Sequence, residues 1–342
     1  MRRREGIELM ALQVVVMAAG KGTRMKSATP KVLHKLAGRS LLDHVLAASA
    51  ALGPDRSWVI VGHGAEQVER SATAPGVGCV RQEPQLGTGH AVQQVASLLV
   101  AAEGAHGDAG KKADGSTLIL NGDVPLIRTE TARALADACG GRRLALLTVV
   151  LPDATGYGRI VRDGEEGGSG RVLAIVEHKD ASDAQRRIRE VYTGMMAAPT
   201  RWLADAVMRL SNDNAQKEYY LTDIVAMAVA DGIEVVASVA ADETEVRGIN
   251  SPRELAELER RFQRRQADAL MDAGVRLADP ARLDVRGTIV YGSDVEIDVG
   301  CVFEGTVRLG DGVRIGAHCV IRDARIGDGA LIQPFTHIEG AG

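Results

Sequence analysis

Short aliphatic and β-branched runs alternate with amphipathic segments over the first 250 residues of the chain. Each run is bounded by Gly, Asp or Pro, and together they predict buried strands at residues 14–17, 57–61, 117–120 and 144–150. Between them, apolar residues recur at helical spacing, which predicts helices at residues 40–52, 89–102 and 129–138. This alternation predicts an α/β domain whose mostly parallel sheet has helices on both faces.

Two further elements follow from local patterns. Residues 159–161 and 172–176 are extended runs joined by a glycine-rich turn, and they predict a hairpin near the sheet edge. A helix is predicted at residues 252–272, because Ser251 is a suitable N-cap, proline occupies the first helical position and Glu254 completes a capping box. Its apolar stripe consists of Leu255, Leu258 and Phe262.

After residue 274 the apolar positions recur every six residues. This repeat is typical of a left-handed parallel β-helix, in which three hexads form one coil. Cys301 and Cys319 are three hexads apart and should therefore stack in the interior, where we interpret them as small apolar side chains rather than a disulfide. The repeating positions are Ile289, Val295, Cys301, Val307, Val313 and Cys319, then Ile297, Phe303, Leu309, Ile315 and Ile321, and, after a register slip, Ile326, Ile332 and Ile338.

These patterns divide the chain into four parts. Residues 1–11 are predicted to be a disordered or tag-like start, since the first strand begins near Leu12. The α/β domain follows at residues 12–250, a linker helix at 251–274, and the β-helix at 275–342.

Composition and charge exclude several classes of protein. The 342 residues are 45% hydrophobic and 25% charged, with a net charge of −4, so no basic field would attract nucleic acid. No apolar run approaches the roughly 20 residues that a membrane helix requires. The four cysteines have no zinc-binding spacing, and we expect them to be reduced thiols of a cytoplasmic protein.

The first predicted strand leads directly into a glycine turn, with Gly20 and Gly22 followed by Thr23-Arg24-Met25 and then by Lys31. Glycine lets backbone N–H groups approach a phosphate, and the two basic side chains add positive charge. The string is neither a P-loop nor the dinucleotide fingerprint, since Met25 stands where the third glycine of the fingerprint would be. It predicts a phosphate-binding loop at the carboxyl end of a strand.

Asn121-Gly122-Asp123 follows the third predicted strand. Ligands of open α/β sheets bind at the carboxyl ends of strands, so Asp123 should face the same crevice as Gly20. A carboxylate beside a triphosphate most often holds Mg²⁺, which prefers oxygen ligands. The alternative is an ordinary turn aspartate.

Gln82 precedes a second loop, which contains Gly87 and Thr88 and opens a helix. The Gln82 amide offers a donor and an acceptor, as the imide edge of uracil requires, and the loop predicts a base-binding site. The alternative is a capped helix start with Thr88 as the cap, and the two can coexist. Three polar groups near strand ends suit sugar hydroxyls and an acetamido group: Gly158, Glu177 and the 192–194 segment. The 217–223 segment has aromatic residues in a chain poor in them, and its alternative is a core segment. Asn250 places an amide oxygen at the end of the domain, with a helix-flanking turn residue as the alternative.

In this order, these strings resemble the bacterial bifunctional N-acetylglucosamine-1-phosphate uridylyltransferase/glucosamine-1-phosphate N-acetyltransferase family, from Leu12 onward. The resemblance implies a Rossmann-like nucleotidyltransferase domain followed by a β-helix. It also implies an enzyme of cell-wall precursor synthesis that makes UDP-N-acetylglucosamine from UTP and N-acetylglucosamine 1-phosphate. Full-length members are expected to be homotrimers.

The resemblance also assigns roles to residues of this chain. Uridine would be bound by Met17, Ala18, Ala19, Gly20, Gln82, Gly87 and Thr88. Lys31 would contact the phosphates and Arg24 the leaving pyrophosphate, with Asn121 and Gly122 lining the substrate site. Asp123 and Asn250 would hold Mg²⁺. Gly158, Glu177 and Tyr192 would contact the sugar, although the family often has Asn where Tyr192 stands.

Family members continue for many more coils, and their acetyltransferase histidine lies in that continuation. His318 and His337 are the only histidines of the hexad region, and neither has the family's surrounding residues. We therefore expect this chain to be a C-terminally truncated form without the acetyltransferase site. Two alternatives stay open: a related thymidylyl- or adenylyltransferase, and a non-catalytic trimer scaffold that senses nucleotide.

Overall fold

The computed structural model describes residues 11–104, 114–164 and 170–340, so the predicted disordered start lies almost wholly outside the described residues. The chain forms two compact units. Residues 11–33 and 41–248 make up the first unit, and residues 34–40 and 249–340 make up the second.

The first unit contains nine strands and eight helices among its described residues. The strands are β1 (Leu12–Ala18), β2 (Arg56–Val61), β3 (Val77–Arg81), β4 (Ser116–Asn121), β5 (Leu144–Val150), β6 (Arg159–Arg162), β7 (Val172–Val176), β8 (Glu190–Pro199) and β9 (Val235–Val239). The helices are α1 (Leu41–Ala50), α2 (Ala65–Ser71), α3 (Thr88–Gln93), α4 (Ala96–Gly104), α5 (Thr129–Cys139), α6 (Asp183–Arg186), α7 (Thr200–Met208) and α8 (Ile224–Ala230).

These strands form one sheet in the order β9-β5-β8-β4-β1-β2-β3, with β6 attached to β8 and β7 to β6. The pairs β4–β1, β1–β2, β2–β3 and β5–β9 are parallel, whereas β8 is antiparallel to both of its neighbours. The chain proceeds from β1 outward to β3 and then returns to the other side of β1 as β4. Such a reversal places a ligand crevice at the carboxyl ends of β1 and β4.

The sheet is buried on both faces, which explains the continuous apolar runs of its central strands. In β1, Val14 and Val16 face one apolar cluster while Val15 faces the other, as the two-residue period of a strand requires. The prediction of an α/β domain with helices on both faces is confirmed.

The single helix predicted at residues 89–102 was wrong, because two shorter helices, α3 and α4, occupy that segment. The side-chain amide of Gln94 donates to the His90 carbonyl oxygen over 2.9 Å, taking the acceptor that the Gln94 backbone N–H would use in a continuous helix. The backbone N–H of Gln94 donates instead to Ala91, one residue closer. The turn tightens at that point, and the helix is interrupted.

The second unit contains a small hairpin (Lys35–Leu36 and Arg39–Ser40) and the helix α9 (Pro252–Asp272). Ser251 caps α9 as predicted, accepting from the Glu254 backbone N–H over 3.2 Å. The capping box was wrong, because the Glu254 carboxylate accepts from the Asn250 N–H over 2.6 Å rather than from Ser251.

The buried face of α9 differs in part from the predicted stripe. Leu258 is buried, but Leu255 and Phe262 are only half-buried. A polar side chain, Gln263, is buried instead, since its amide donates to the Val285 carbonyl at 2.9 Å and accepts from the Val285 N–H at 2.8 Å. The side chain thus satisfies both backbone groups of Val285.

The remaining strands of the second unit are parallel and form a β-helix. They are β10 (Arg276–Leu277), β11 (Leu283–Tyr291), β12 (Glu296–Ile297), β13 (Cys301–Leu309), β14 (Arg314–Ile315), β15 (Val320–Arg322), β16 (Arg325–Ile326), β17 (Leu331–Ile332) and β18 (His337–Glu339). Partners in successive coils are 18 residues apart from β11 to β15, and 17 apart from β15 to β18. The predicted hexad repeat and its register slip are confirmed.

Cys301 and Cys319 are both buried, and neither forms a disulfide. Each thiol donates to a carbonyl of the following coil, from Cys301 to Gly316 and from Cys319 to Gln333, both over 3.2 Å. Burial raises the pKa of the Cys301 thiol to about 11. The interpretation of these cysteines as interior side chains rather than a disulfide is confirmed.

Candidate active site

The predicted phosphate loop leaves the carboxyl end of β1. Gly20 is exposed, and Gly22 adopts a left-handed conformation with φ of 57°. A Cβ on Gly22 would lie 2.7 Å from the Lys31 Cβ, so a side chain there would displace Lys31. Arg24 follows on an exposed turn that the buried Met25 anchors. The loop therefore holds two cations beside exposed backbone amides.

Lys31 and Asp123 form an ion pair between the β1 loop and the end of β4. Their side chains are 14% and 19% exposed, so the pair is accessible from the crevice. Gly122 donates its N–H to the Met17 carbonyl over 2.9 Å, which fixes the β4 turn against β1. Asn121 donates from its side chain to the Thr193 carbonyl over 3.2 Å, linking the same turn to β8.

The predicted metal ligands lie in different units. Asp123 belongs to the first unit, whereas Asn250 belongs to the second, directly before α9. Within the described ranges, no cluster of three or more His, Cys, Asp or Glu side chains could form an all-protein cage. A lone carboxylate at a phosphate loop instead suits a hard cation whose remaining ligands are waters and substrate phosphates, as is usual for Mg²⁺.

The predicted base loop is held against the segment that precedes α8. Gly87 has φ of 110°, and a Cβ there would lie 2.6 Å from the Tyr219 carbonyl oxygen. Backbone bonds join this loop to the same segment, from Tyr219 N–H to Leu86 over 2.8 Å and from Gly89 N–H to Tyr219 over 2.7 Å. The unusual aromatic content of the 217–223 segment was the signal that could have indicated this role.

The structure corrects the proposed role of Thr88 as a helix cap. Thr88 is the first residue of α3, and its hydroxyl accepts from the Leu221 N–H over 3.0 Å rather than from its own helix. The hydroxyl is used by a residue that is distant in sequence, so local capping rules could not reveal its partner.

The Gln82 side chain is buried, and its amide group donates within the protein. Its Nε2 lies 2.9 Å from the Gly87 carbonyl oxygen and 3.2 Å from His90 Nδ1. The side-chain donor of Gln82, which the sequence analysis assigned to uracil, is therefore used within the protein. Beside Gln82 lies a cavity of about 530 Å³, lined by the ends of β2 and β3 and by α2.

The predicted sugar-contacting residues lie together around β6, β7 and β8. Gly158 accepts the Tyr192 N–H over 2.9 Å. Thr222, which lies in the aromatic 217–223 segment, donates its hydroxyl to the Glu177 carboxylate over 3.0 Å. Burial raises the pKa of Glu177, and nearby Asp223 and Asp180 raise it further.

Tyr192 is buried, and its hydroxyl has no hydrogen-bond partner among the described residues. Burial and the Glu177 carboxylate both raise the pKa of Tyr192, so the phenol stays protonated and can donate a hydrogen bond. A buried hydroxyl without a partner in the protein is unusual in native structures, and a bound ligand is one way to satisfy it.

Comparison with known proteins is consistent with this geometry. The family model of the MobA-like NTP transferase domain matches residues 14–158, which include the phosphate loop and Asp123. The chain is 68% identical over 334 residues to the bifunctional protein GlmU of Methylibium petroleiphilum, a match covering 96% of this chain and 70% of that protein. The chain belongs to the GlmU family. GlmU of Paracidovorax citrulli is 58% identical over 97% of the chain and 69% of that protein.

Membership of the GlmU family confirms the predicted family and the predicted class of enzyme, a nucleotidyltransferase. For a GlmU-type NTP transferase domain, a divalent metal requirement is implied. In the parts of the chain that the structure describes, no helix has the length and apolar character to cross a membrane. The individual site residues stay predictions.

Proposed function

We propose that this chain transfers UMP from UTP to N-acetylglucosamine 1-phosphate, giving UDP-N-acetylglucosamine and pyrophosphate. The observation that supports this most strongly is the order of the candidate groups along one edge of the sheet. Gln82 and the base loop follow β3, the phosphate loop follows β1, Asp123 follows β4, and the sugar-contacting residues lie at β8 and its neighbours. Base, phosphates and sugar follow in the same order in the proposed product.

The length of this sheet edge also matches the length of the proposed product. Adjacent strands of a sheet are about 4.8 Å apart, so the path from β3 to β8 spans about 19 Å. That length accommodates a base, a ribose, two phosphates and a sugar in a row.

The proposed reaction is an in-line displacement at phosphorus. A phosphate oxygen of N-acetylglucosamine 1-phosphate attacks the α-phosphorus of UTP, and the bond from that phosphorus to the bridging oxygen breaks. Pyrophosphate leaves with the bonding electron pair. Because the nucleophile is already an anion, no general base is required, and catalysis depends on positioning and charge neutralisation.

The residues for charge neutralisation surround the β1 loop. Lys31 would contact the phosphates and the exposed Arg24 the departing pyrophosphate, with the loop amides as further donors. Asp123 would hold Mg²⁺, which when bound supplies further positive charge to the phosphate oxygens. The role of Asn250 as a metal ligand stays a prediction. The Lys31–Asp123 pair keeps that carboxylate at the crevice.

Base recognition is proposed to depend on Gln82. With its Nε2 directed to Gly87 and His90, the Oε1 atom can accept from the imide N–H of uracil. Thymine has the same N–H, so this contact favours a pyrimidine with an imide edge over adenine. Gly87 and Thr88 keep the loop in place through the contacts described above.

We expect Gln82→Ala to raise the KM for UTP about tenfold, because one hydrogen bond of ordinary strength is worth roughly that factor. The KM for the sugar phosphate should change little. Gln93→Ala is the matched control, since Gln93 also donates from Nε2 to a backbone carbonyl, that of Val207 at 2.7 Å, but lies away from the cavity. Steady-state kinetics with each substrate varied would measure both, and an equal effect of the two variants would argue against base recognition.

At the sugar end, we propose that the unpartnered Tyr192 hydroxyl and the Glu177 carboxylate hydrogen-bond to the sugar. Gly158 lies beside them with no side chain to fill the space. Tyrosine is longer than the asparagine frequent at this position in the family, so its contact with the sugar must differ in geometry.

Pyrophosphate release tests the whole proposal. Each of UTP, dTTP and ATP is paired with each of N-acetylglucosamine 1-phosphate and glucose 1-phosphate in the presence of Mg²⁺. The fastest release is expected with UTP and N-acetylglucosamine 1-phosphate. Preference for another pair would identify a related transferase, and no release with any pair would support a nucleotide-sensing scaffold.

Three further expectations stay predictions. These are the homotrimer, the cytoplasmic location, and the absence of an acetyltransferase site from residues 275–342. The proposal for the uridylyl transfer depends on none of them.

A further inference from the structure

Arg159 is a buried cation in β6, directly after Gly158. Its side chain is only 1% exposed, and it is among the largest fully buried side chains of the described residues. Within the described part of the chain, no carboxylate lies within ion-pair distance of its guanidinium. Burial lowers the pKa of Arg159, and the charge of Asp153 raises it in part. Burying a cation without a carboxylate at ion-pair distance is costly.

Its hydrogen bonds show what the guanidinium does. Nη1 donates to the Tyr157 carbonyl, while Nη2 donates to His178 Nδ1 over 3.2 Å and to the Arg186 carbonyl over 3.4 Å. One side chain thereby joins the loop before β6, the turn after β7 and the end of α6. The remaining donor, Nε, has no partner among the described residues.

Two of these segments contain residues of the proposed sugar site. Gly158 lies between Tyr157 and Arg159, and Glu177 immediately precedes His178. A Cβ on Gly158 would lie 2.8 Å from Ile175 Cγ2 and 3.6 Å from Glu177 Oε1, so Gly158 and Glu177 face each other. The contact between Arg159 and His178 therefore joins the two chain segments directly beside Gly158 and Glu177.

The contact with His178 also determines a tautomer. A guanidinium has donors only, so Nδ1 of His178 must accept, and the proton of the neutral imidazole lies on Nε2. The arginine therefore requires an acceptor at this exact ring position.

We propose that Arg159 is a positioning residue for the sugar-phosphate subsite, joining the segments of Gly158 and Glu177 through its hydrogen bonds to Tyr157 and His178. This inference rests on the proposed function, since it assumes that Gly158 and Glu177 contact the sugar. Arg159 itself does not touch substrate.

Arg159→Met tests the proposal, because methionine keeps much of the aliphatic stem and removes every donor. The KM for N-acetylglucosamine 1-phosphate should rise about tenfold, while kcat and the KM for UTP stay within about twofold. Calorimetric titration should likewise show weaker binding of N-acetylglucosamine 1-phosphate in the presence of UMP, with unchanged binding of UMP alone.

Arg162→Met is the matched control. Arg162 lies in the same strand, pairs with Glu190 over 2.8 Å and donates to the Gly170 carbonyl over 2.8 Å. Its loss should lower Tm without a selective change in the KM for the sugar phosphate. The proposal is overturned if both variants raise that KM equally. It is also overturned if Arg159→Met lowers Tm without raising that KM, since Arg159 would then have only a structural role.

His178 variants test the coupling. His178→Ala removes the acceptor and should reproduce part of the rise in KM, whereas His178→Asn places an amide oxygen near the Nδ1 position and should restore near-normal KM. The double variant Arg159→Met/His178→Ala should be no worse than Arg159→Met, because both changes break one contact. Additive effects would overturn the proposal.

If Arg159→Met does not fold, Arg159→Lys keeps the charge and a single donor group, and an intermediate rise in KM is expected. The activity of the wild-type protein distinguishes a failure of the proposed function from a failure of the role proposed for Arg159. If it releases no pyrophosphate from UTP and N-acetylglucosamine 1-phosphate, the proposed function fails. If it does and the KM of the folded Arg159 variants is unchanged, only the role of Arg159 fails.

Discussion

Asp123→Asn is expected to lower kcat for uridylyl transfer at least about 10²-fold, the usual cost of removing a group that stabilises transition-state charge. Asparagine keeps the size of the side chain but removes the charge that pairs with Lys31 and that would hold the cation. The Mg²⁺ concentration for half-maximal rate should rise as well. Initial rates of pyrophosphate release over a Mg²⁺ titration measure both effects.

Asp231→Asn is the control for this change. Asp231 is also paired with a cation, Arg209, over 3.2 Å between Oδ1 and Nη1, but it lies at the surface away from the crevice. Its activity and Mg²⁺ dependence should match those of the wild type. A folded Asp123→Asn protein with near-normal turnover would remove Asp123 from the proposed machinery.

Phe303→Ala should destabilise the β-helix by about 3–5 kcal/mol, the usual cost of truncating a buried aromatic side chain. Phe303 is 1% exposed and lies between Val285 and Ile321 of the neighbouring coils. Those coils are fixed by backbone bonds on either side, so the void cannot collapse fully. The lost stability combines the transfer free energy of the removed ring with the free-energy cost of the cavity that it leaves.

Denaturant titration followed by two probes measures this effect. Both tryptophans, Trp58 and Trp202, belong to the first unit, so their fluorescence should report the first unit while circular dichroism reports both. Phe335→Ala is the control, since Phe335 is 78% exposed and its ring stacks on His318. Equal destabilisation by both variants would contradict an interior role for Phe303.

Sequence patterns predicted the features in which burial of side chains follows a regular period along the chain. The β1 run is continuously apolar because both faces of its sheet are buried, and the hexad positions recur because each coil has a fixed interior side. In both cases the pattern itself encodes burial. The meeting of Gly20 and Asp123 at one edge followed from parallel strand order. These predictions needed no knowledge of a specific side-chain partner.

The features that sequence reasoning missed depend on a choice between alternative hydrogen-bond partners. Gln94 takes a carbonyl from its own helix, Glu254 accepts from Asn250 rather than Ser251, and Thr88 accepts from Leu221. Gln263 is buried because two backbone groups of Val285 need a partner. Each choice is decided by tertiary packing, which spacing along the chain does not reveal.

The two stacked thiols of the β-helix have a practical consequence. Only the thiolate reacts rapidly with alkylating or disulfide reagents, and a pKa of about 11 leaves very little thiolate on Cys301 near neutral pH. Because Cys301 and Cys319 are also enclosed by the coils, a reagent can reach them only when the coils open. The rate of their chemical modification therefore measures how often the coils of the β-helix open locally.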